Sequence, residues 1–199
     1  MKPKPYIEYI DAIGLIAWGY IFLHVNINLG TLNIIPNWAG YLLIYRALGA
    51  VGAYKPSALL LRPLGILLGL YELAAWGMAL LGGTIDLFWI NLFTSVIALY
   101  FHFQLLTDLA VIAEHHGCTQ AKKIRTLRTA LTLLGTLAAI ITFYPDFAHS
   151  QAISIGIAIV YLVAVLWICA VLFGYRREEQ DLAITDEMNA DNSDTLSFQ

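Results

Sequence analysis

Two residues, Arg46 and Glu72, place formal charge deep inside apolar stretches. A charge at the centre of a hydrocarbon layer costs about 2.5–3.5 kcal/mol even on insertion scales. Such residues therefore face protein or water, and often bind a solute, an ion or a proton. Counted along helices at about 1.5 Å per residue, Arg46 lies about 12 Å and Glu72 about 15 Å from the same membrane boundary. Small residues flank both: Gly65, Gly69, Ala75 and Ala79 share the side of Glu72, and Ala39, Gly49, Ala50 and Ala53 accompany Arg46. Matched depth and small-residue faces predict an Arg46–Glu72 ion pair, acting either as a substrate or ion site or as a structural lock.

A polar seam accompanies the pair. Asn91, Thr94, Ser95 and His102 fall on one helical face, because Asn91 and His102 are separated by three turns. His24 and Asn28 are one turn apart near the outer end of the first apolar stretch. In a membrane helix, Asn, Ser and Thr serve as hydrogen-bonding glue or as solute ligands. Counted from the loops, His24 and His102 sit at different depths, which argues against a shared haem iron. Glu114, His115, His116 and Cys118 are neighbours in sequence, but adjacent histidines point in different directions on a helix, so no metal site is expected. No HExxH, P-loop, Gly-x-Ser-x-Gly or Ser–His–Asp order occurs. An intramembrane enzyme ranks third among the readings, for want of a recognisable nucleophile–base set, and no catalytic residues, no cofactor and no nucleic-acid partner are expected.

These side chains must be held by membrane helices. The sequence is 59% hydrophobic and only 13% charged, about half the charge of an ordinary soluble domain. Long continuous apolar runs exclude barrel strands, which alternate every second residue. The expected fold is an all-α polytopic bundle with six transmembrane helices, at about 10–29, 38–54, 58–81, 85–109, 126–144 and 152–174. Small breakers mark the turns, with Pro36, Gly82-Gly83 and Pro145 on one face and Gly117 ending the extended fourth helix. The first apolar stretch reads as a retained span rather than a cleaved signal.

Charge sets the orientation. Of the 11 Lys and Arg residues, Arg46 lies within a span and the other ten fall on one side of this topology. That places both termini in the cytoplasm of a multi-pass protein of the cell (plasma) membrane. Lys122, Lys123, Arg125 and Arg128 form a basic segment suited to anionic lipid, at about 1 kcal/mol per residue near the surface. Cys118 and Cys169 are isolated and expected to be reduced. Residues 178–199 hold seven acids and no Lys or Arg, and are expected to form a disordered cytoplasmic tail. Helices five and six, mostly apolar apart from a threonine stripe, read as scaffold.

The stretch Asn28-Leu-Gly-Thr31, leading to Ile34-Ile-Pro-Asn-Trp-Ala-Gly-Tyr41-Leu-Leu-Ile, resembles a recurring segment of an uncharacterised family of small multi-pass membrane proteins of Gram-positive bacteria. The resemblance covers one loop and half of the second span. It implies a membrane bundle, imports no catalytic residue, and draws attention to the first outer loop. Two functional expectations follow from the residues. One is small-solute or ion binding or transport through a polar interior built on helices one to four. The other is a non-catalytic accessory or regulatory subunit that binds a protein partner or a second copy of itself.

Overall fold

An apolar run in lipid can satisfy its backbone only within its own helix, and helices dominate the architecture. The computed structural model describes residues 4–25, 28–29, 32–85, 87–143 and 151–196. The helices are α1 (Lys4–His24), α2 (Asn37–Tyr54), α3 (Leu61–Leu80), α4 (Phe88–His115), α5 (Gln120–Phe143) and α6 (Gln151–Leu196). A 3-10 turn, Pro56–Leu60, joins α2 to α3. Between α1 and α2, β1 (Asn28–Leu29) and β2 (Leu32–Asn33) form a two-residue antiparallel ladder, Asn28 opposite Asn33.

Among the described residues, four helical segments are long and apolar enough to cross a membrane: Tyr6–His24, Pro56–Leu80, Phe88–His115 and Ile159–Asp186. The helix α2 is diluted by Asn37, Arg46, three glycines before Lys55 and several tyrosines. Four cations at its start weaken α5 in the same way.

Two helix ends are set by glycine. Gly82 and Gly117 have φ of 76° and 75°, a left-handed turn that costs a glycine nothing. Gly83 N–H then reaches back to the Met78 carbonyl at 2.9 Å, and Cys118 N–H to that of Ala113 at 2.8 Å. Both are six-to-one bonds that close the last turn and satisfy carbonyls the helix would otherwise orphan.

Each helix packs on its neighbours in the chain, and α6 returns to α1, so the six form a closed ring. The tightest crossing is α1 on α2. A Cβ on Gly40 would lie 2.7 Å from the Gly19 carbonyl oxygen, so only a residue without a side chain fits there. Gly65 faces the Phe101 ring of α4, and Gly69 faces Tyr41 of α2, so the Gly65-x-x-x-Gly69 face does meet protein.

Packing is dense at the end that carries the lysines. Tyr9, Ile13, Ile16, Leu105, Leu109, Ile124, Ile168 and Leu172 are all buried there. Towards the opposite end, Leu80, Leu81, Trp89, Phe93, Leu133, Ile140, Ile159 and Val160 stand exposed on four different helices. Apolar residues facing outwards all round are the mark of a surface solvated by lipid rather than water.

The expected disordered tail is corrected by α6, which continues as helix from the apolar run through residue 178 to Leu196. The stripe Val165, Ile168, Leu172, Tyr175 and Glu179 is buried along one face of α6. Its spacing of three and four residues carries the helix past the apolar run and holds it on the bundle.

Candidate functional site

Inside the ring, a cavity of about 280 Å³ collects side chains from all six helices. Tyr20 and His24 come from α1, Asn37 and Tyr41 from α2, Glu72 from α3, Ser95 and His102 from α4, Arg128 and Thr132 from α5, and Tyr161 from α6. A second cavity of about 250 Å³ adjoins it, sharing Tyr41, Glu72 and Ser95 and adding Tyr71, Asn91 and Thr94. The expectation of a polar interior built on helices one to four is thus corrected in one respect: α5 and α6, read as scaffold, form part of the wall.

The expected Arg46–Glu72 ion pair does not form. Glu72 Oε2 instead accepts a hydrogen bond from Asn37 Nδ2 at 3.2 Å. Asn37 is the first residue of α2, so Glu72 lies level with the start of that helix and not with its middle. Arg46 is nine residues further on, about 13 Å deeper and half a turn round, at 100° per residue. It therefore points to the outside of the ring and is exposed. Depth counted from loop positions fails because Asn33, between α1 and α2, folds in against α3. Asn33 Nδ2 donates to Asn37 Oδ1 at 3.1 Å, and Trp76 Nε1 donates to the Asn33 carbonyl at 3.0 Å.

The two histidines are also nearer than their loop distances implied. The His24 and His102 rings have centroids 5.9 Å apart. His102 Nδ1 shares a hydrogen bond with Tyr20 Oη at 3.2 Å, and His24 Nδ1 one with Tyr161 Oη at 3.3 Å. His24 ends α1, whereas His102 is mid-way along the longer α4, which extends past the end of α1. Equal depth therefore cannot be read from distance to a loop when helices differ in length. Among the described residues, no group of three or more His, Cys, Asp or Glu is arranged to hold a metal ion.

The remaining seam residues divide by role. Asn91 Oδ1 accepts from Tyr71 Oη at 2.6 Å, linking α4 to α3. Thr94 and Ser95 turn their hydroxyls to the Asn91 carbonyl of their own helix, at 3.0 and 2.7 Å. Both line the second cavity. The side chain of Asn28 lies outside the described residues.

The basic segment is likewise divided. Arg125 Nη2 pairs with Glu114 Oε2 at 2.6 Å, and Arg128 turns inwards, leaving Lys122 and Lys123 as exposed cations.

A second polar centre, at the lysine-bearing end, escaped the sequence reading. The Glu179 side chain is 0% exposed. Its Oε2 accepts from Tyr6 Oη at 2.5 Å. Its Oε1 meets His116 Nδ1 at 2.7 Å and accepts from Cys118 Sγ at 3.6 Å. Tyr9 and Tyr175 hydroxyls share a hydrogen bond of 2.7 Å, and the Tyr54 ring stands edge-on to His116 at 5.5 Å. One carboxylate thus ties α6 to α1 and to the turn after α4. Burial and the Glu179 and Glu178 carboxylates push the Cys118 thiol up to about 12, where it is a poor nucleophile. Glu178 accepts from Thr119 Oγ1 and from Gln120 N–H, capping the start of α5.

Asp108 is, with Glu179, one of two buried carboxylates among the described residues, and the sequence did not single it out. Its Oδ1 accepts from Ser57 Oγ at 2.8 Å and Gln104 Nε2 at 2.9 Å. Glu179 was hidden within a run of charges that looked solvated. Its signal was the apolar stripe ending on it, at the same spacing as the residues before it.

A scan of protein-family models, a search of curated proteins and a search of solved structures each return no match to this chain.

Proposed function

We propose that the chain is a six-span protein of the cell membrane, with both termini cytoplasmic, that binds and conducts a small charged solute through its central cavity. The observation carrying this reading is Glu72: a carboxylate on a cavity inside an apolar ring, paired with an amide and, among the described residues, with no cation. A charge desolvated without a counter-charge either gives up its charge or recruits one from outside. A lock between helices would not need a cavity beside it.

The crossing of α2 and α5 rests on the charge pattern. If α2 failed to cross, the following loops would exchange sides and the basic segments would no longer share a face. Membership of both helices in the same ring supports this topology.

The test is osmotic swelling of proteoliposomes in small cationic, anionic and neutral solutes. At least one charged solute should enter faster with protein than without. Glu72→Gln should lower that rate at least tenfold while melting with wild type. No solute entering faster than into empty liposomes would sink the reading.

A further inference from the structure

Glu72 is not the only unmatched charge on the cavity. Arg128 lines it as well. Arg128 Nη1 donates to Thr107 Oγ1 at 3.1 Å, and its guanidinium lies over the Phe103 ring at 4.7 Å. Its Nε is buried with no acceptor. Among the described residues, the ion pairs involve neither Arg128 nor Glu72. One cavity thus presents an acid from α3 and a base from α5, each held by neutral groups.

The two charges are too far apart to meet. Ser95 and Ala98 of α4 mark the Glu72 end, since all three residues line both cavities. Phe103 and Thr107 mark the Arg128 end. Five to twelve residues of α4 separate these positions, or about 8–18 Å of helix rise. The wall between carries His24, His102 and Tyr161. Each imidazole has one ring nitrogen engaged by a tyrosine and, among the described residues, no partner on the other.

We propose that the cavity takes an elongated zwitterion, its cationic end on Glu72 and its anionic end on Arg128. This rests on the reading of the cavity as a solute site and names the solute class. A simple ion satisfies one end and leaves the other charge unmet. An α-amino acid with an uncharged side chain carries both charged groups on one carbon and reaches one end only. A zwitterion with its charges at opposite ends of a chain meets both, and the free imidazole nitrogens hydrogen-bond to polar groups along it. A volume of about 280 Å³ sits at the small end of ligand sites, which run from about 300 to 1,000 Å³.

The test is calorimetric titration of purified protein with glycine, γ-aminobutyrate and ε-aminocaproate, with hexylamine and caproate as singly charged controls. Affinity should rise along the amino acid series. Binding of ε-aminocaproate should be at least tenfold tighter than that of either control. Glu72→Gln should weaken ε-aminocaproate about tenfold and leave caproate unchanged, and Arg128→Gln should do the converse with hexylamine. Comparison of the wild-type ligands requires no variant to fold. Equal binding of hexylamine, equal binding of caproate, glycine binding as tightly as ε-aminocaproate, or no binding by the series would each overturn the zwitterion. If swelling still shows a Glu72-dependent solute, only this inference falls; if it shows none, the solute reading falls with it.

Discussion

Replacing Glu179 with alanine should unfasten the lysine-bearing end of the bundle. The carboxylate has no exposure, and both oxygens are engaged, Oε2 by Tyr6 and Oε1 by His116 and Cys118. Truncation takes from the Tyr6 hydroxyl its shortest hydrogen bond, leaving the Glu179 backbone carbonyl at 3.3 Å, and takes the carboxylate from the His116 ring. Removing one partner of a buried charged network costs about 3–5 kcal/mol. For a chain of this size, each kcal/mol shifts the melting temperature by about 2–4 °C, so Glu179→Ala should melt roughly 6–20 °C lower. Glu179→Gln keeps one acceptor oxygen but presents an amide to the other side. It should lose about one charge-assisted bond, or about 1.5–3 kcal/mol. The assay is a tryptophan-fluorescence melt in detergent, with exposed Asp181→Ala as the control expected to match wild type. Maleimide labelling supplies a second readout. With its thiol pushed up to about 12, Cys118 should react slowly at neutral pH and faster as pH rises towards that value, because the thiolate is the nucleophile. Glu179→Ala removes the neighbouring negative charge and the cover, so labelling at neutral pH should accelerate. A Glu179→Ala protein that melts with wild type and leaves Cys118 unlabelled would refute the account of this carboxylate as a fastener.

Two further outcomes test the packing and the corrected ion pair. Gly40→Ala sets a Cβ against the Gly19 backbone oxygen, which cannot rotate away; it should cost about 1–3 kcal/mol, whereas Gly156→Ala, with open space around it, should leave the melt unchanged. Arg46→Met and Glu72→Gln should be additive in a double-mutant cycle to within about 0.5 kcal/mol, as for distant sites; a coupling well above that value would restore the ion pair.

The sequence made the helices legible because a membrane span is a local property. Its apolar length and its glycine or proline ends lie within one segment, as Gly82 and Gly117 illustrate. The polar seam was legible for a related reason, since Asn91, Thr94, Ser95 and His102 share a face by helical arithmetic alone. Depth between helices was not. Arg46 was matched to Glu72 by counting from loops, but the Asn33–Asn37 loop folds inwards and resets the origin of the count. His24 and His102 were separated by the same count, although α1 ends level with the middle of α4. Composition also misled at residue 179, where a run of acids concealed a buried carboxylate.

What the chain determined by itself is helix, apolar class and the segregation of positive charge, because each depends on residue type and local spacing. What the tertiary structure decided is which side chains share a cavity. Glu72 meets Asn37 rather than Arg46, Arg128 turns inwards beside Phe103, and Glu179 fastens α6 to α1. Those outcomes depend on the relative shift and rotation of packed helices, set by contacts such as Gly19 on Gly40 that join residues far apart in sequence. A displacement of one helical turn, about 5 Å, changes every partner while leaving each helix intact.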